Sequence, residues 1–203
     1  MSGRSRKRPE ERTGDGQMPG RPHTEHSARE SHGFDASNRG AREVAEDFRL
    51  AMRNLAGAVT AVTVRDGREI LGIAATSVTS LSMSPPSLVV SVRSDSSIME
   101  ALRAEGRFTV HLLNHDQKQV ADAFAGRLGT EGRAGRVAWD KPAPQGDRIA
   151  GAAFHVDCLI HQLIPVFSHV LVVGEVLAVQ AGASASPLVY FGGAYHTLAP
   201  LHM

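Results

Sequence analysis

The sequence predicts a mainly β protein, a small barrel of about six or more strands with helices at its periphery. Three observations lead there. Several separate runs carry apolar residues at the two-residue period of strands or as short, fully apolar stretches. Short turn signals separate the runs, Asp66-Gly67 and Ser84-Pro85-Pro86 among them. No glycine-rich dinucleotide fingerprint follows a strand, and there is no phosphate-binding loop of the nucleoside-triphosphatase kind, so a doubly wound fold is not expected.

Residues 1–40 are rich in Gly, Ser, Arg, Glu and Pro and nearly devoid of apolar side chains. Such a segment cannot bury enough surface to offset its ordering entropy, and a disordered polar tail is expected. Its "RSRKR" run, Arg4 to Arg8, is a weak nucleic-acid signal, because acidic residues follow closely and the chain's net charge is only +1. Residues 41–203 form the expected domain. The first element is a helix beginning near Arg42, with Val44, Phe48, Ala51 and Leu55 on one face and Gly57 placed to end it.

Period two then takes over. "AVTAVTVRDGREILGIAATSV" reads as two strands joined at Asp66-Gly67, and "SLVVSV" as a third, largely buried strand. Ser97 and Glu100 have capping-box spacing ahead of a short helix with Ile98 and Leu102. "RFTVHLLN" is a fourth strand, and Asn114 with Gln117 opens a second short helix holding Val120 and Phe124. The stretch 126–150, rich in Gly, Arg and Pro, reads as a long loop, a common place for function, with Trp139 as its anchor. Strands at "AAFHVDCLIHQLI", "HVLVVGEVLAV" and "PLVYFGGAYHTL" close the chain.

The single cysteine, Cys158, excludes an intramolecular disulfide and reads as a small buried apolar residue. No apolar run follows the basic residues of the N-terminus, and none approaches the ~20 residues of a membrane helix. A soluble cytoplasmic protein is the expectation. In "HVDCLIH", His155, Asp157 and His161 would share a strand face with Cys158 on the other. The two histidines would lie about 20 Å apart, too far for one metal ion, so no metal site is expected. Asp116, Asp122 and Glu131 read as solvated surface carboxylates.

The chemistry concentrates in "GIAATSVTSLSMSPPSLVVSVRSDSS", Gly72 to Ser97. Small side chains let a planar ring approach the backbone, and strand ends leave N–H and C=O groups free to meet a polar ring edge. Arg93 ahead of "SDSS" suits a phosphate. A ring seat followed by a phosphate seat describes a mononucleotide cofactor, with flavin the best fit; ordinary half-exposed strand chemistry with a surface arginine is the alternative.

Beyond these features, the chain resembles the short-chain flavin reductases, FMN-binding split barrels that serve as reductase components of two-component monooxygenases. The resemblance spans residues 44 to 198. It is carried in order by "FRLAMRNLAGAVTAVTV", "GIAATSVTSLSMSPPSLVVSV", "FTVHLLNHDQKQVADAFAG", "SHVLVVGEVLAV" and "PLVYFGGAYHTL". It implies that Ala75, Thr76 and Ser77 meet the isoalloxazine edge. Ser80 and Ser82, with Leu81 between them, would lie by the ribityl chain and phosphate, and Arg93, Ser96 and Ser97 would close the phosphate end. Phe124 and the adjoining "AGR" would border the ring. Where the family commonly has Gly-Asp-His on the nicotinamide side, this chain has Phe167, Ser168 and His169. Only the histidine matches, and it is the one residue given a catalytic role.

The implied activity is hydride transfer from NADH or NADPH to FMN, or to FAD, with the reduced flavin passing to a partner monooxygenase. The implied assembly is a homodimer. The altered triplet leaves two rivals: a split barrel that keeps FMN and acts directly on an organic substrate, or a non-catalytic flavin carrier or sensor.

Overall fold

The computed structural model describes residues 38–129, 132–140, 147–182 and 186–200. All but the last three residues of the expected tail, the "RSRKR" run and Glu131 lie outside them. The first helix, α1 (Asn38–Arg53), starts ahead of the expected Arg42 and ends before Gly57. Gly57 instead opens the two-residue strand β1 (Gly57–Ala58), where a side chain would crowd Thr76 Cβ at 3.2 Å.

Seven strands form one antiparallel sheet. In chain order they are β2 (Thr60–Asp66), β3 (Glu69–Ala75), β4 (Val78–Met83), β5 (Pro86–Arg93), β6 (Arg107–Leu112), β7 (Phe154–Val166) and β8 (His169–Ala181). In space the order is β3-β2-β6-β7-β8-β5-β4. The β2–β3 hairpin turns where the sequence places it, with Asp66 paired to Glu69 and Gly67 at φ 57°. Two short strands, β9 (Val189–Phe191) and β10 (Ala194–His196), join β1 in a separate three-stranded sheet. The seven strands read from the sequence become ten among the described residues, because β1 is added, the stretch after Gly72 continues into a separate β4, and "PLVYFGGAYHTL" folds on itself.

Strands β3 and β4 follow one another in the chain yet occupy opposite edges of the sheet. Only Thr76 and Ser77 separate them, so the sheet must coil until its edges meet. That short link joins them, and Ser77 already continues the β4–β5 register, its hydroxyl donating to the Ser91 carbonyl at 2.9 Å and its carbonyl accepting the Ser91 N–H at 3.4 Å. This is a split barrel. Its interior holds Val62, Val64, Val90, Val92, Phe108, Val110, Cys158, Val170 and Val172. The short helix α2 (Met99–Glu105) adds Met99 and Leu102 to that core. At Gly174 a side chain would strike the Phe108 ring at 2.6 Å, so this strand position stays bare.

A second core lies on the outer face of β2, where Val59 and Ala61 pack with Leu113, Phe124, Ile149 and Leu188. Strand β2 is thus buried on both faces, which explains its run of small and β-branched residues. Helix α3 (Lys118–Phe124) covers part of this layer. Its entry keeps half of the expected capping box: Gln117 Oε1 accepts the Asn114 N–H at 2.9 Å, while Asn114 Nδ2 donates to the Gly151 carbonyl. At α2 the expected Ser97 cap is not made. The N-cap is Ile98, with no side-chain hydrogen bond, and the residue is fully buried. Burying Ile98 sets the helix start here.

Two β-bulges interrupt the pairing of β7 with β8. Ile160 pairs with Gly174 and Gln162 with Val173, leaving His161 as the extra residue. His161 is exposed, while His155 and Asp157 are buried side by side on the outer face. The expectation that all three share a face fails at the bulge.

The buried pair anchors the long loop. Arg148, 2% exposed, donates to both Asp157 oxygens, NH1 to Oδ1 at 2.9 Å, and Thr109 Oγ1 adds a third bond to Oδ1. His155 Nδ1 lies 2.8 Å from His111 Nδ1, and His111 Nε2 lies 2.8 Å from Thr63 Oγ1. Trp139 does anchor the loop: its ring meets the His111 and Phe124 rings edge-on, and its indole N–H donates to the Ala134 carbonyl at 2.8 Å. No cluster of His, Cys, Asp and Glu among the described residues could hold a metal ion, and no helix among them is long and apolar enough to cross a membrane. Burial pushes the Cys158 thiol up to about 12.

Burial, then the neighbouring His155 and the Arg148 charge, hold His111 well below its ordinary pKa of 6.5; burial and the Arg148 charge hold His155 below it too, against the pull of Asp140 and Asp157. Both take up a proton less readily in the fold than in the unfolded chain, where they titrate near pH 6.5. Below that pH the unfolded state binds more protons, so stability is full above it and falls on acidification. The slope is about 1.4 kcal/mol per pH unit for each histidine kept neutral. Urea titrations from neutral pH down to about pH 5 should show this loss, and His155→Gln should flatten it.

Candidate functional site

The seam that closes the barrel also opens a cleft. Strand β3 ends at Ala75, the chain crosses at Thr76-Ser77, and β5 runs past on the other side. Between them lies a cavity of about 360 Å³, within the range of small-molecule sites. Ala74, Ala75, Thr76 and Ser77 form one wall, and Ser91, Arg93 and Ser96 the other. Phe124 and Ala125 come from the end of α3, Arg133 from the long loop and His169 from the start of β8. Cβ atoms no larger than alanine's at positions 74 and 75 let a flat ligand lie near the backbone.

Seven expected site residues meet here: Ala75, Thr76, Ser77, Arg93, Ser96, Phe124 and His169. Arg93 and His169 are partners in the β5–β8 register, which explains their meeting from positions 76 residues apart in the chain. Ser97 lies in an adjoining hollow of about 330 Å³ that shares Arg133 with the cleft. Ser80, Leu81 and Ser82 lie along the edge strand β4 and do not line the cleft. Leu81 is 56% exposed, and Ser82 Oγ accepts the Ser84 N–H at 3.0 Å.

Phe167 and Ser168 form the two-residue tip between β7 and β8. Phe167 is fully exposed and has φ 52°, a left-handed conformation uncommon for an aromatic residue. Ser168 is tied to the cleft side: its carbonyl accepts the Ser94 N–H at 3.0 Å and the Ser94 hydroxyl at 3.1 Å. Its own hydroxyl lies 3.0 Å from His169 Nδ1.

Two of the arginines near the cleft are neutralised. Arg93 donates Nε and NH2 to the two oxygens of Asp95, at 2.9 and 2.7 Å, and this bond holds the Asp95 carboxyl below its usual range. Arg127 donates to Asp122 at 2.9 Å. Asp122 is buried rather than solvated as its sequence setting suggests, and Lys118 first, then Arg127 and Tyr195, holds its carboxyl low. Arg127, Tyr190 and Tyr195 line a third hollow of about 280 Å³ on the far side of Ala75 and Thr76.

Sequence reasoning missed Arg133, Tyr190 and Tyr195. Tyr190 sits in a strand and Arg133 in a glycine-rich loop, and nothing in their spacing relates them to Gly72–Ser97. Only the packing of the loop and of the small sheet brings them there.

The cleft accommodates a flavin on its own chemistry. It has a flat wall of small residues, main-chain polar groups at a strand break, serine hydroxyls and a guanidinium at one end, and aromatic Phe124 at a border. A split barrel with such a cleft at its seam suits a protein of the flavin-binding class. The sequence pattern of the family described as "Flavin reductase like domain" matches residues 52–199.

The reductase component of 4-hydroxyphenylacetate 3-monooxygenase from Thermus thermophilus is 37% identical over 153 residues, 75% of this chain and 96% of that protein. An NADH:FMN oxidoreductase of Rhodococcus qingshengii is 34% identical over 161 residues, 77% of this chain and 83% of that one. Among solved structures, the Streptomyces globisporus C-1027 NADH:FAD oxidoreductase SgcE6, in complex with NAD and FAD fragments, superposes with a TM-score of 0.71. It is 30% identical, over 78% of this chain and 94% of that one. The chain is a member of the flavin reductase-like family.

Gly72 sets the position of the aromatic wall. A Cβ there would lie 2.5 Å from the Phe124 ring. Gly72→Ala should therefore destabilise the fold by about 1–3 kcal/mol through overpacking, seen as a lower urea midpoint. A midpoint equal to the parent's would mean that Phe124 yields freely and does not fix the wall.

Proposed function

We propose that this chain is an NAD(P)H:flavin oxidoreductase, transferring hydride from NADH or NADPH to FMN or FAD and releasing the reduced flavin to a partner monooxygenase. The observation that carries the reading is the cleft at the barrel seam, in a chain whose relatives bear the names of NADH-dependent flavin reductases and a monooxygenase reductase component. Hydride exchange between nicotinamide and flavin is the cofactors' own chemistry, so the protein's task is orientation.

Ala75, Thr76 and Ser77 present main-chain groups to the polar edge of the flavin ring, and Phe124 walls its side. Ser96 and Ser97 lie towards the phosphate. His169 stands on the open side, where the Ser168 hydroxyl fixes its ring and where a nicotinamide would approach. No buried acid–base dyad is needed for this step. The reading places the protein in the cytoplasm, with its donor and its oxygenase.

One observation favours a second reading, in which FMN stays bound and the protein acts directly on an organic substrate. Phe167 stands fully exposed at the β7–β8 tip, on the side where the nicotinamide is expected. Its ring could narrow that approach.

The reading also takes the protein to be a homodimer. An apolar stripe along α1 and just past its end is uncovered by the described residues: Val44 and Phe48 of the helix are 69% and 64% exposed, and Leu55 beyond it 65%. A stripe of that size on an amphipathic helix calls for a partner surface, and a second copy supplies it.

Two measurements test these statements. Oxidation of NADH or NADPH by the purified protein, followed by loss of nicotinamide absorbance, should rise and saturate with added FMN or FAD. Tight flavin retention without such oxidation would favour the second reading. Sedimentation should show a dimer that Phe48→Asp dissociates; a monomeric parent would remove the assembly from the proposal.

A further inference from the structure

Arg133 is the cleft's one cationic side chain, among the described residues, that no carboxylate neutralises. Arg93 is held bidentately by Asp95, and neighbouring Arg127 by Asp122. Arg133 makes no ion pair with any described residue. Its NH1 reaches only the carbonyls of Phe124 and Gly72, at 3.3 and 3.4 Å, both at the long end of hydrogen bonding. Its Nε is buried and has no partner at all.

The residue also has the right place. It belongs to both the 360 Å³ cleft and the 330 Å³ hollow, and so spans the junction between them. Ser96 lines the first and Ser97 the second. Gly132, Ala134 and Gly135 beside it keep the hollow clear of bulk. A planar guanidinium with no carboxylate partner, at the junction of two cavities each lined by a serine, suits a phosphate through paired N–H···O bonds. Arg93 has committed its Nε–NH2 edge and part of its charge to Asp95, whereas Arg133 has no carboxylate to compete with a phosphate.

Resting on the flavin reading of the cleft, we infer that Arg133, rather than Arg93, grips the phosphate of the bound flavin. The cleft therefore prefers FMN to riboflavin, which lacks that group, and the preference resides in this one side chain. A pyridine nucleotide also carries phosphates, so the test must tell the two sources apart.

The experiment titrates the full-length protein with FMN and with riboflavin, following the quenching of flavin fluorescence, for the parent, Arg133→Gln and Arg133→Lys. The KM for NADH is measured on the same samples. The parent should bind FMN more tightly than riboflavin. Arg133→Gln should weaken FMN by about 10- to 100-fold, the loss of a strong charged contact. Riboflavin affinity should stay within about twofold, which also shows that the variant is folded, and Arg133→Lys should recover part of the preference.

Equal weakening of both flavins would make Arg133 a scaffold residue and overturn the inference. So would an unchanged FMN preference, whether the variant leaves NADH alone or raises only its KM, the latter assigning the guanidinium to the pyridine nucleotide. Loss of the preference in Arg93→Gln but not in Arg133→Gln would return the role to Arg93. A parent that binds riboflavin as tightly as FMN refutes this inference alone, whereas a parent that binds neither refutes the flavin reading with it.

Discussion

Everything in this molecule depends on the closure of the barrel at Ser77. Two residues link strands that lie at opposite edges of a seven-stranded sheet, so the sheet can exist only if it coils until those edges touch. The link is short, Thr76 and Ser77 alone, with Ser77 bonded to the backbone of Ser91 in line with the β4–β5 register. It is also where the strand ladder stops, and an interrupted ladder leaves main-chain groups and open volume. The site is thus a consequence of the topology. The same crossing that closes the core makes a cleft with small residues along its wall.

The outer layer completes that cleft from a distance. Residues 147–149 are pinned to the sheet by the Arg148–Asp157 pair and by Arg65 bound to Asp147. Breaking a buried ion pair by removing one partner costs about 3–5 kcal/mol, since it strands the other charge. Such an anchor sets the register of the loop against β6 and β7, and Trp139 transmits that register to Phe124. Arg133 enters the cleft from the same loop, held beside the Phe124 carbonyl. A polar cluster far from the cleft therefore fixes the aromatic and cationic parts of its rim.

Phe167 holds an unusual position for an aromatic residue. A two-residue hairpin with its first residue at φ 52° suits glycine, and an aromatic side chain there is held by its surroundings. The Ser94–Ser168 hydrogen bonds supply that hold and keep His169 on the cleft. The aromatic side chain thus stands at a fixed turn beside the cleft, where an approaching ligand would meet it.

The sequence by itself determined the strands, their hairpins and the block from Ala75 to Arg93 that forms the seam. Alternation, Gly67 and the prolines are local signals, and local sterics enforce them. His169 and Phe124, expected at the site from motif order rather than from any local chemistry, both line the cleft. Tertiary structure decided the rest. Packing of Ile98 replaced the cap expected at Ser97, and bulges in β7–β8 separated His161 from His155. Curvature carried Ser80, Leu81 and Ser82 along an edge strand away from the cleft lining. Asp122 became buried because Lys118, Arg127 and Tyr195 converge on it from the helix, the turn after it and the small sheet. Arg133 gained its place from a loop anchored at residue 148. Each of these depends on which distant residues come to touch, and that is set by closing the sheet rather than by the spacing of residues along it.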